Sequence, residues 1–481
     1  MEKTTSSLLL VGAVGLAGLL ASCTSGSITL KGKVSNADGK PVVFHRTNDG
    51  IYTQTTDTLH LQADSTFTVT IPGKSAERFD FFLWGKRELG SLYLKPGTTE
   101  LNIDASADIP LKHEKTPEDK VMEILSGLNK DVWDLRSRSG DKWNISKDTV
   151  ASSVYGVLTE YARTLEKELT GVDASLKSKA SQDIRMQLLL AFENQFFVNT
   201  YRCSEQTKKE WVEAFYKMSD FADLNNPDNV FSPAFGNAIR NQIGIKIYNI
   251  GKKEPFQNRN EYYLFIFDRF EKELQGRVCE AMMANLILDD AKQEDYATGI
   301  PGLYDRFLTL YPQSVLKPLL DKAVARNNAF NRTAFSDDVC FLDTDSVKTF
   351  KEITDSFAGK VIFIDLWATW CSPCRASFSH VKPLQEYAKE HDVVLLYISI
   401  DRPSDKDKWM KMANVYNLKG KHVILNEFFQ QEIYDTFGNN GSLHIPHCAI
   451  VNKKGELQFP VAASPENMDK LAAQLEEAAG V

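Results

Sequence analysis

Cys371 and Cys374 are the residues whose type and spacing point most directly to a chemical role. They follow a continuous apolar run over residues 361–367, interrupted by one acid, which is typical of a central buried strand. A C-x-x-C pair that opens a helix after a buried strand indicates a dithiol–disulfide couple, whereas a structural zinc site needs a second pair of ligands at similar spacing. No other C-x-x-C occurs in the sequence. The pattern therefore predicts a redox pair.

The predicted position of the pair at a helix N-terminus distinguishes its two sulfurs. Unpaired backbone N–H groups and the helix dipole favour the thiolate form of Cys371. Cys374 is expected one turn further into the helix, where it is less accessible and close enough to close the disulfide.

From about Thr333 onward, predicted strands alternate with predicted helices, as in an α/β unit. The segment WATWCSPCR, residues 367–375, closely resembles the thioredoxin superfamily, and most closely its TlpA/ResA-like membrane-anchored branch. Further resemblance to that branch lies at residues 341–343, 359–360, 395–401, 444–447, 449–455 and 464–466. The resemblance implies a thioredoxin-like fold over 333–481 and a thiol–disulfide oxidoreductase with no cofactor beyond its own Cys371–Cys374 disulfide.

The resemblance also implies roles for individual residues. Cys371 is the expected nucleophile, which forms a mixed disulfide with a partner protein, and Cys374 is the expected resolving thiol. A proline in a cis peptide bond is expected to stack beside the pair and to leave the preceding backbone free to pair with a substrate strand. The residues expected to contact the substrate are Trp370, Ser372, Pro373, Ile445 and the cis-proline Pro446.

Asp365 is the acid that interrupts the apolar run before the cysteine pair. It precedes Cys371 by six residues and matches the buried acid of thioredoxin. Burial disfavours the charged form of a carboxyl group, so we expect Asp365 to have a raised pKa and to relay a proton for Cys374. The alternative, a surface carboxylate, fits poorly inside an apolar run.

Two positions depart from the pattern of the branch. The proline that family members often carry five residues after the second cysteine is replaced by Ser379, and the next proline is Pro383. The helix kink is therefore expected elsewhere. The acid that ResA-type proteins often place between the cysteines is absent, since Ser372 and Pro373 stand there. This second departure weakens the case for a role in cytochrome c maturation.

His447 and Cys448 follow the predicted cis-proline, where the family more often has Thr or Arg and an apolar residue. Residues two apart in a strand share a face, so Cys448 is expected on the same side as Pro446. One interpretation is a third thiol or a metal site with His444 and His447, and the other is a buried core cysteine beside a loop histidine. Structural bridges or lone thiols are the alternatives for Cys203, Cys279 and Cys340.

The beginning of the sequence resembles a bacterial lipoprotein signal. Residues 8–20 form an apolar run that suits a signal-peptide core and is too short to span a bilayer. The following Leu20-Ala21-Ser22-Cys23 resembles a lipobox, which implies a signal peptide over 1–22, a lipid on Cys23 and a linker over 23–27. The alternative is a buried N-terminal helix with an incidental cysteine. The lipoprotein interpretation implies a location at the periplasmic face of a bacterial membrane, inner or outer, where disulfide chemistry persists.

Two further domains are predicted before the α/β region. Residues 28–110 alternate with period two between turn residues and predict an antiparallel β-sandwich. Residues 116–330 begin with a Thr-Pro helix start and carry three-and-four spacing of apolar residues, as at Leu158, Ala162 and Leu165, which predicts an all-α domain. Neither region contains a recognisable catalytic constellation.

Composition and motif spacing exclude some functions. A net charge of −8 in a chain with 43% hydrophobic residues indicates a globular protein without the positive field that nucleic acid requires. A peroxiredoxin needs a proline and a threonine or serine where Ile364 and Ala368 stand. The expected partners are protein thiols or disulfides, the membrane through the lipid anchor and, for a reductase, an extracytoplasmic electron donor. The alternative is a partner- or ligand-binding lipoprotein in which the thioredoxin-like domain is a redox sensor or a structural module.

Overall fold

The protein is described here by a computed structural model. The described residues are 26–73, 75–84, 87–137, 150–251, 256, 258–343, 347–439 and 442–480, without the side chains of 134, 136 and 137. The predicted signal peptide over 1–22 and the predicted lipidation site Cys23 lie outside these ranges. The chain divides into two compact units: unit 1 takes residues up to 222 together with 228–235, and unit 2 takes 223–227 and the residues from 236 onward. Within the described ranges, every helix is too short or too polar to cross a membrane.

Unit 1 begins with strands that form two sheets. The strands in the described ranges are β1 Ser27–Ser35, β2 Val42–Asn48, β3 Ile51–Thr58, β4 Thr66–Pro72, β5 Glu77–Leu83, β6 Arg87–Leu94, β7 Gly97–Glu100, β8 Asn102–Asp104 and β9 Leu111–Lys112. One sheet has the order β4-β1-β8-β9 with β7 also paired to β1, and the other has the order β3-β2-β5-β6. Both sheets contribute to one hydrophobic cluster, which contains Ile28 and Leu30 from the first sheet and Phe44, Phe79 and Phe81 from the second.

The predicted N-terminal sheets are present. The prediction that they are antiparallel is wrong for part of the first sheet. Strand β1 pairs in parallel with β7, where Ile28 lies opposite Gly97, and in parallel with β8, where Val34 lies opposite Ile103. Period-two alternation is the same for both strand directions, so the sequence carries no signal that separates them. Between β2 and β3 the chain turns at Asp49, whose φ of 52° lies in the left-handed region.

The predicted helical segment is helical, and it contributes to both units. Unit 1 contains α1 Pro117–Ser137, α2 Ala151–Glu168, α3 Ala174–Thr200 and α4 Glu205–Ala222. After a 3-10 turn over Pro227–Phe231 and α5 Phe235–Gly244, unit 2 contains α6 Arg259–Glu273, α7 Gly276–Gln293, α8 Ile300–Leu310 and α9 Lys317–Asn331. The sequence predicts one all-α domain over 116–330, whereas these helices divide between two units. Amphipathic spacing shows that a helix has an apolar face but not which neighbour covers it.

A buried group of charges joins the second sheet of unit 1 to its helices. Arg78 of β5 pairs with Asp80 at 2.8 Å and with Asp183 of α3 at 2.6 Å. The Ser232 hydroxyl donates a hydrogen bond to Asp183 at 2.6 Å. The side chain of Arg78 is 7% exposed and that of Asp183 is fully buried, so each charge depends on the other for compensation.

Unit 2 ends in an α/β domain. Its elements in the described ranges are β10 Val339–Phe341, α10 Phe350–Asp355, β11 Ile362–Trp367, α11 Ser372–Ser377, α12 Val381–Glu390, β12 Val394–Ser399, α13 Lys406–Val415, β13 Gly420–Ile424, α14 Gln430–Phe437, β14 His447–Val451, β15 Leu457–Phe459 and α15 Met468–Ala479. The strands form one mixed sheet with the order β10-β13-β12-β11-β14-β15. Strand β11 lies inside the sheet, parallel to β12 and antiparallel to β14. The predicted α/β fold of this domain is confirmed.

Both faces of β11 are buried, as its apolar run predicts. Successive side chains of a strand point to opposite faces. Phe363 and Trp367 belong to the hydrophobic cluster that contains both cysteines of the C-x-x-C motif, whereas Ile362 and Leu366 belong to the cluster covered by α10 and α14. Asp365 alternates with Phe363 and Trp367, so its side chain lies on the cysteine side of the sheet.

Candidate active site

Cys371 and Cys374 form a disulfide bond at the N-terminus of α11. Cys371 is the N-cap residue, and its Sγ accepts a hydrogen bond from the backbone N–H of Cys374 at 3.2 Å. Pro373 lies in the first turn, where its missing N–H leaves no helix bond unmade. Cys371 is 4% exposed and Cys374 is fully buried. The predicted placement of the pair, with the second cysteine the more buried, is confirmed.

The helix after the pair breaks one turn further on. Helix α11 ends at Ser377, a 3-10 turn covers Phe378–His380, and α12 begins at Val381. Pro383 is therefore the third residue of a new helix, where its backbone nitrogen needs no partner within the helix. The break takes the place of the kink that the family's proline would produce at Ser379.

The loop that leads into the pair is fixed by a buried acid at the end of the neighbouring strand. Both oxygens of Asp401 accept hydrogen bonds from Thr369, one from its backbone N–H and one from its hydroxyl, each at 2.8 Å. The Ser399 hydroxyl donates to the same carboxylate at 2.7 Å. Burial raises the pKa of Asp401. A charged acceptor with three donors holds this loop firmly.

Arg375, the residue after Cys374, ties the same loop from the other side. Its Nη1 donates to the backbone carbonyl of Thr369 at 2.6 Å. Its Nε lies 3.0 Å from a carboxylate oxygen of Glu294, which is an ion pair without hydrogen-bond geometry. The same oxygen accepts a hydrogen bond from the Tyr416 hydroxyl at 2.6 Å. The side chain of Arg375 is only 6% exposed. The backbone on both sides of Cys371 is thus attached to buried charged groups.

Asp365 lies buried in β11 on the side of the sheet that carries the disulfide. It stands in register with Tyr397 of β12 and with Cys448 of β14. Its Oδ1 has no hydrogen-bond partner among the described residues. Burial raises the pKa of Asp365 to about 7. A carboxyl group in this state holds or releases a proton near neutral pH.

Cys448 carries a free, buried thiol next to this acid. Burial raises the pKa of the thiol, and the charge of Asp365 raises it further. His447 uses its Nε2 in a hydrogen bond of 2.7 Å with the carbonyl oxygen of Pro460. Across the parts of the chain that the structure describes, no group of three His, Cys, Asp or Glu side chains is placed to hold a metal ion. The surroundings of Cys448 favour the core-cysteine interpretation over a third reactive thiolate.

The loop before β14 carries the predicted cis-proline. The Ile445–Pro446 peptide bond is cis, as predicted. Pro446 is exposed, and Ile445 is half-buried against the cluster that contains Cys371 and Cys374.

The other predicted substrate contacts lie at the surface. Trp370 is 61% exposed, and Ser372 and Pro373 are exposed on the first turn of α11. The ring of Trp370 is therefore accessible at the surface beside the disulfide. Three other cysteines in the described ranges, Cys203 and Cys279 before this domain and Cys340 at its entry, are free thiols.

Four residues of this site are not predicted from the sequence: Thr369, Arg375, Asp401 and Glu294. The spacing of Thr369 and Asp401 does not show that they bond to each other. The contact of Arg375 with Glu294 joins positions far apart in the sequence. A single sequence carries no signal for such a contact.

The chain is similar to known proteins of one kind. A family model described as thioredoxin-like matches residues 359–457. A thioredoxin from Coprinus comatus is 38% identical over 56 residues, which is 12% of this chain and 51% of that protein. The thiol-disulfide oxidoreductase ResA of Geobacillus kaustophilus is 28% identical over 102 residues, which is 21% of this chain and 54% of that protein. A solved thiol-disulfide oxidoreductase from Bacteroides fragilis is 20% identical, with a TM-score of 0.21 over 28% of this chain and 88% of that one.

The chain spans about half the length of these two curated relatives. The matched region contains β11, the cysteine pair, Asp365 and the cis-proline. Residues 359–457 are thereby identified as a thioredoxin-like region, and the chain is similar to a thioredoxin and to ResA thiol-disulfide oxidoreductases.

Proposed function

We propose that the chain is a thiol–disulfide oxidoreductase that reduces disulfide bonds of proteins outside the cytoplasm. The observation that carries the proposal is the Cys371–Cys374 disulfide at the N-terminus of α11. A thiol at a helix N-terminus ionises more readily than a free cysteine, and the thiolate is the nucleophile in disulfide exchange. The similarity to a thioredoxin and to a ResA protein supports the same chemistry.

The reaction begins from the reduced pair. The Cys371 thiolate attacks one sulfur of a substrate disulfide, so a mixed disulfide forms and the other substrate sulfur leaves as a thiolate. Cys374 loses its proton and attacks the sulfur of Cys371, which releases the second substrate thiolate and closes the Cys371–Cys374 disulfide. Two electrons pass from the pair to the substrate, and an external dithiol donor must return them.

Asp365 is the proposed acceptor of the Cys374 proton. It lies on the same side of the sheet as the pair, it is 3% exposed, and one of its carboxylate oxygens lacks a partner among the described residues. With a pKa raised to about 7 by burial, it alternates between the two protonation states at neutral pH.

The proposed substrate surface surrounds the disulfide. Trp370, Ser372 and Pro373 contact the partner protein from the loop and the first turn of α11. Ile445 offers its backbone to an extended segment of the substrate, and Pro446 packs beside the sulfurs. The exposure of four of these residues and the half-burial of Ile445 support this assignment.

The proposed location is the periplasmic face of a bacterial membrane, with the chain anchored through a lipid on Cys23. The lipobox resemblance at residues 20–23 supports it. Metabolic labelling with a fatty acid tests the anchor: wild-type protein should be labelled and Cys23→Ser protein should not. Labelling that persists in the Cys23→Ser variant contradicts the assignment.

The catalytic proposal is tested by single cysteine substitutions in the chain without its signal peptide. Cys371→Ser should abolish reduction of insulin disulfides by dithiothreitol-recycled protein, and Cys374→Ser should accumulate a mixed disulfide with the substrate. Cys340→Ser, a free thiol at the start of the same domain, is the matched control and should retain activity. Full activity of Cys371→Ser contradicts the assignment of the nucleophile.

The direction of electron flow is tested by the reduction potential of the pair, equilibrated against glutathione or dithiothreitol. A value near or below about −250 mV, in the range of thioredoxin, supports a reductase that needs an electron donor. A value between about −120 and −180 mV contradicts reduction and indicates an oxidase or isomerase. The absence of a reversible couple contradicts the enzyme and favours a binding lipoprotein with a structural thioredoxin-like domain.

A further inference from the structure

A short connection between two helices of unit 2 is held in a fixed shape. It joins α7 to α8, and its residues Glu294 and Tyr296 adopt left-handed φ values of 55° and 47°. Such values are uncommon for residues other than glycine and persist where the surroundings impose them. Asp290 accepts a hydrogen bond from the backbone N–H of Ala297 at 2.9 Å, and Asn331 donates one to the carbonyl of Tyr296 at 2.9 Å. The connection is thereby anchored to α7 and α9.

Three consecutive residues of this connection contact the thioredoxin-like domain. Glu294 pairs with Arg375 at 3.0 Å, and the next residue, Asp295, pairs with Lys408 of α13 at 2.9 Å. Tyr296 packs against the hydrophobic cluster that contains both redox cysteines. These contacts belong to one compact unit, so the helices before residue 331 form part of the surroundings of the redox pair.

The contact through Arg375 leads directly to Cys371. The backbone N–H of Arg375 donates to the carbonyl of Cys371 at 3.1 Å, and its guanidinium holds the carbonyl of Thr369 at 2.6 Å. The guanidinium carries a positive charge in a nearly buried position, on a residue that follows Cys371 by four positions. Glu294 supplies the negative charge that compensates it.

We propose that Glu294, which lies before the thioredoxin-like domain in the sequence, is a positioning residue that sets the reactivity of Cys371 through Arg375. The proposal rests on the proposed function of the cysteine pair. In the native protein the Glu294 carboxylate offsets the guanidinium charge and keeps it turned towards the Thr369 carbonyl. Without the carboxylate, the positive charge near the helix N-terminus stabilises the Cys371 thiolate and therefore the reduced form of the pair. The helical segment thus adjusts how readily the pair gives up its electrons.

The test uses Glu294→Gln in the chain without its signal peptide. We expect the equilibrium constant against glutathione to shift about three- to tenfold towards the reduced protein, which corresponds to about 14 to 30 mV for a two-electron couple. We also expect the pH profile of Cys371 alkylation by iodoacetamide to move to lower pH. Lys408→Gln, which removes an ion pair of the same connection but does not touch Arg375, is the matched control and should stay within twofold of wild type.

Further variants decide between positioning and a purely structural role. In an Arg375→Gln background, Glu294→Gln should change the equilibrium constant less than twofold, since the charge it compensates is gone. A full shift in that background, or no shift in the single variant, overturns the proposal. Glu294→Asn is the second uncharged variant, because asparagine adopts left-handed φ more readily than glutamine. Thermal unfolding measures whether the two uncharged variants are folded. If neither variant is folded, Glu294 has a structural role instead. A wild-type protein without a reversible couple contradicts the proposed function itself, whereas an unchanged potential in a working couple contradicts only the role of Glu294.

Discussion

Replacing Asp365 with asparagine removes a carboxyl group whose ionisation is opposed by burial inside β11. In the folded protein this group keeps its proton up to a pKa of about 7, whereas the ordinary value for an aspartate is 3.8. Between these two pH values the folded protein binds more protons than the unfolded chain, so the free energy of unfolding falls as the pH rises. The stabilising contribution of the protonated acid is complete below about pH 4 and is lost as the pH rises through 7.

The size of the effect follows from the distance between the two pKa values. Each pH unit between 3.8 and about 7 costs the folded state about 1.4 kcal/mol, so the full loss is about 4 kcal/mol above pH 7. About two fifths of this loss has already occurred at pH 5. Asp365→Asn has no ionisation to oppose, so its stability relative to wild type should increase by about 3 kcal/mol between pH 5 and pH 8.5.

Hydrogen–deuterium exchange of peptides from β11 measures this difference in the oxidised full chain. The expected increase corresponds to about a 100-fold gain in protection of the variant over wild type between the two pH values. A loss of stability that the asparagine side chain causes independently of pH is the same at both pH values and therefore cancels in the comparison. Asp392→Asn removes a carboxylate that is 78% exposed and paired with Lys360, and this control should show no such change. A difference between Asp365→Asn and wild type that is the same at pH 5 and pH 8.5 would refute the reasoning.

Three further predictions follow from the buried polar groups. Asp401→Asn weakens the charged hydrogen bonds that hold the loop before the cysteine pair, and we expect insulin reduction to slow about three- to tenfold. The rate is measured by turbidity, after both the oxidised and the reduced form of the variant are shown to be folded. Arg78→Met leaves the carboxylates of Asp80 and Asp183 buried without their counter-charge, and we expect unit 1 to lose about 3–5 kcal/mol of stability in urea denaturation; an unchanged midpoint would mean that the pair contributes nothing. Cys448→Ala removes a buried thiol whose pKa is raised, so insulin reduction should stay within twofold of wild type, and a larger loss would restore the interpretation of a third reactive thiol.

The redox pair and the strand before it could be predicted from the sequence, because their residues are close together along the chain. A buried strand, a C-x-x-C pair and a helix follow one another without interruption, so the strand position of Asp365 and the N-cap position of Cys371 follow from spacing alone. The cis-proline at Pro446 lies far from the pair in the sequence, and its prediction depended on family resemblance. Strands and helices elsewhere were predictable as types of element, since each carries its own period.

Pairing between distant residues was not predictable from one sequence. The contact of Glu294 with Arg375 depends on how α7 and α8 pack, which no local pattern encodes. The direction of β7 beside β1 and the division of the helices between two units are of the same kind. For the helices and strands, the sequence shows which face is apolar but not which neighbouring element covers that face.

On the ribosome, unit 1 stays incomplete after its fourth helix has emerged. Residues 228–235 belong to it, and within them Ser232 donates a hydrogen bond to the buried carboxylate of Asp183 while the Phe231 ring lies edge-on to Tyr93 at 5.9 Å. Until this stretch leaves the exit tunnel, the carboxylate that faces Arg78 lacks one of its donors. A nascent chain released at residue 222 should therefore be cleaved by protease faster than one released at residue 235. Unit 1 is thus completed by residues that are synthesised after its fourth α-helix.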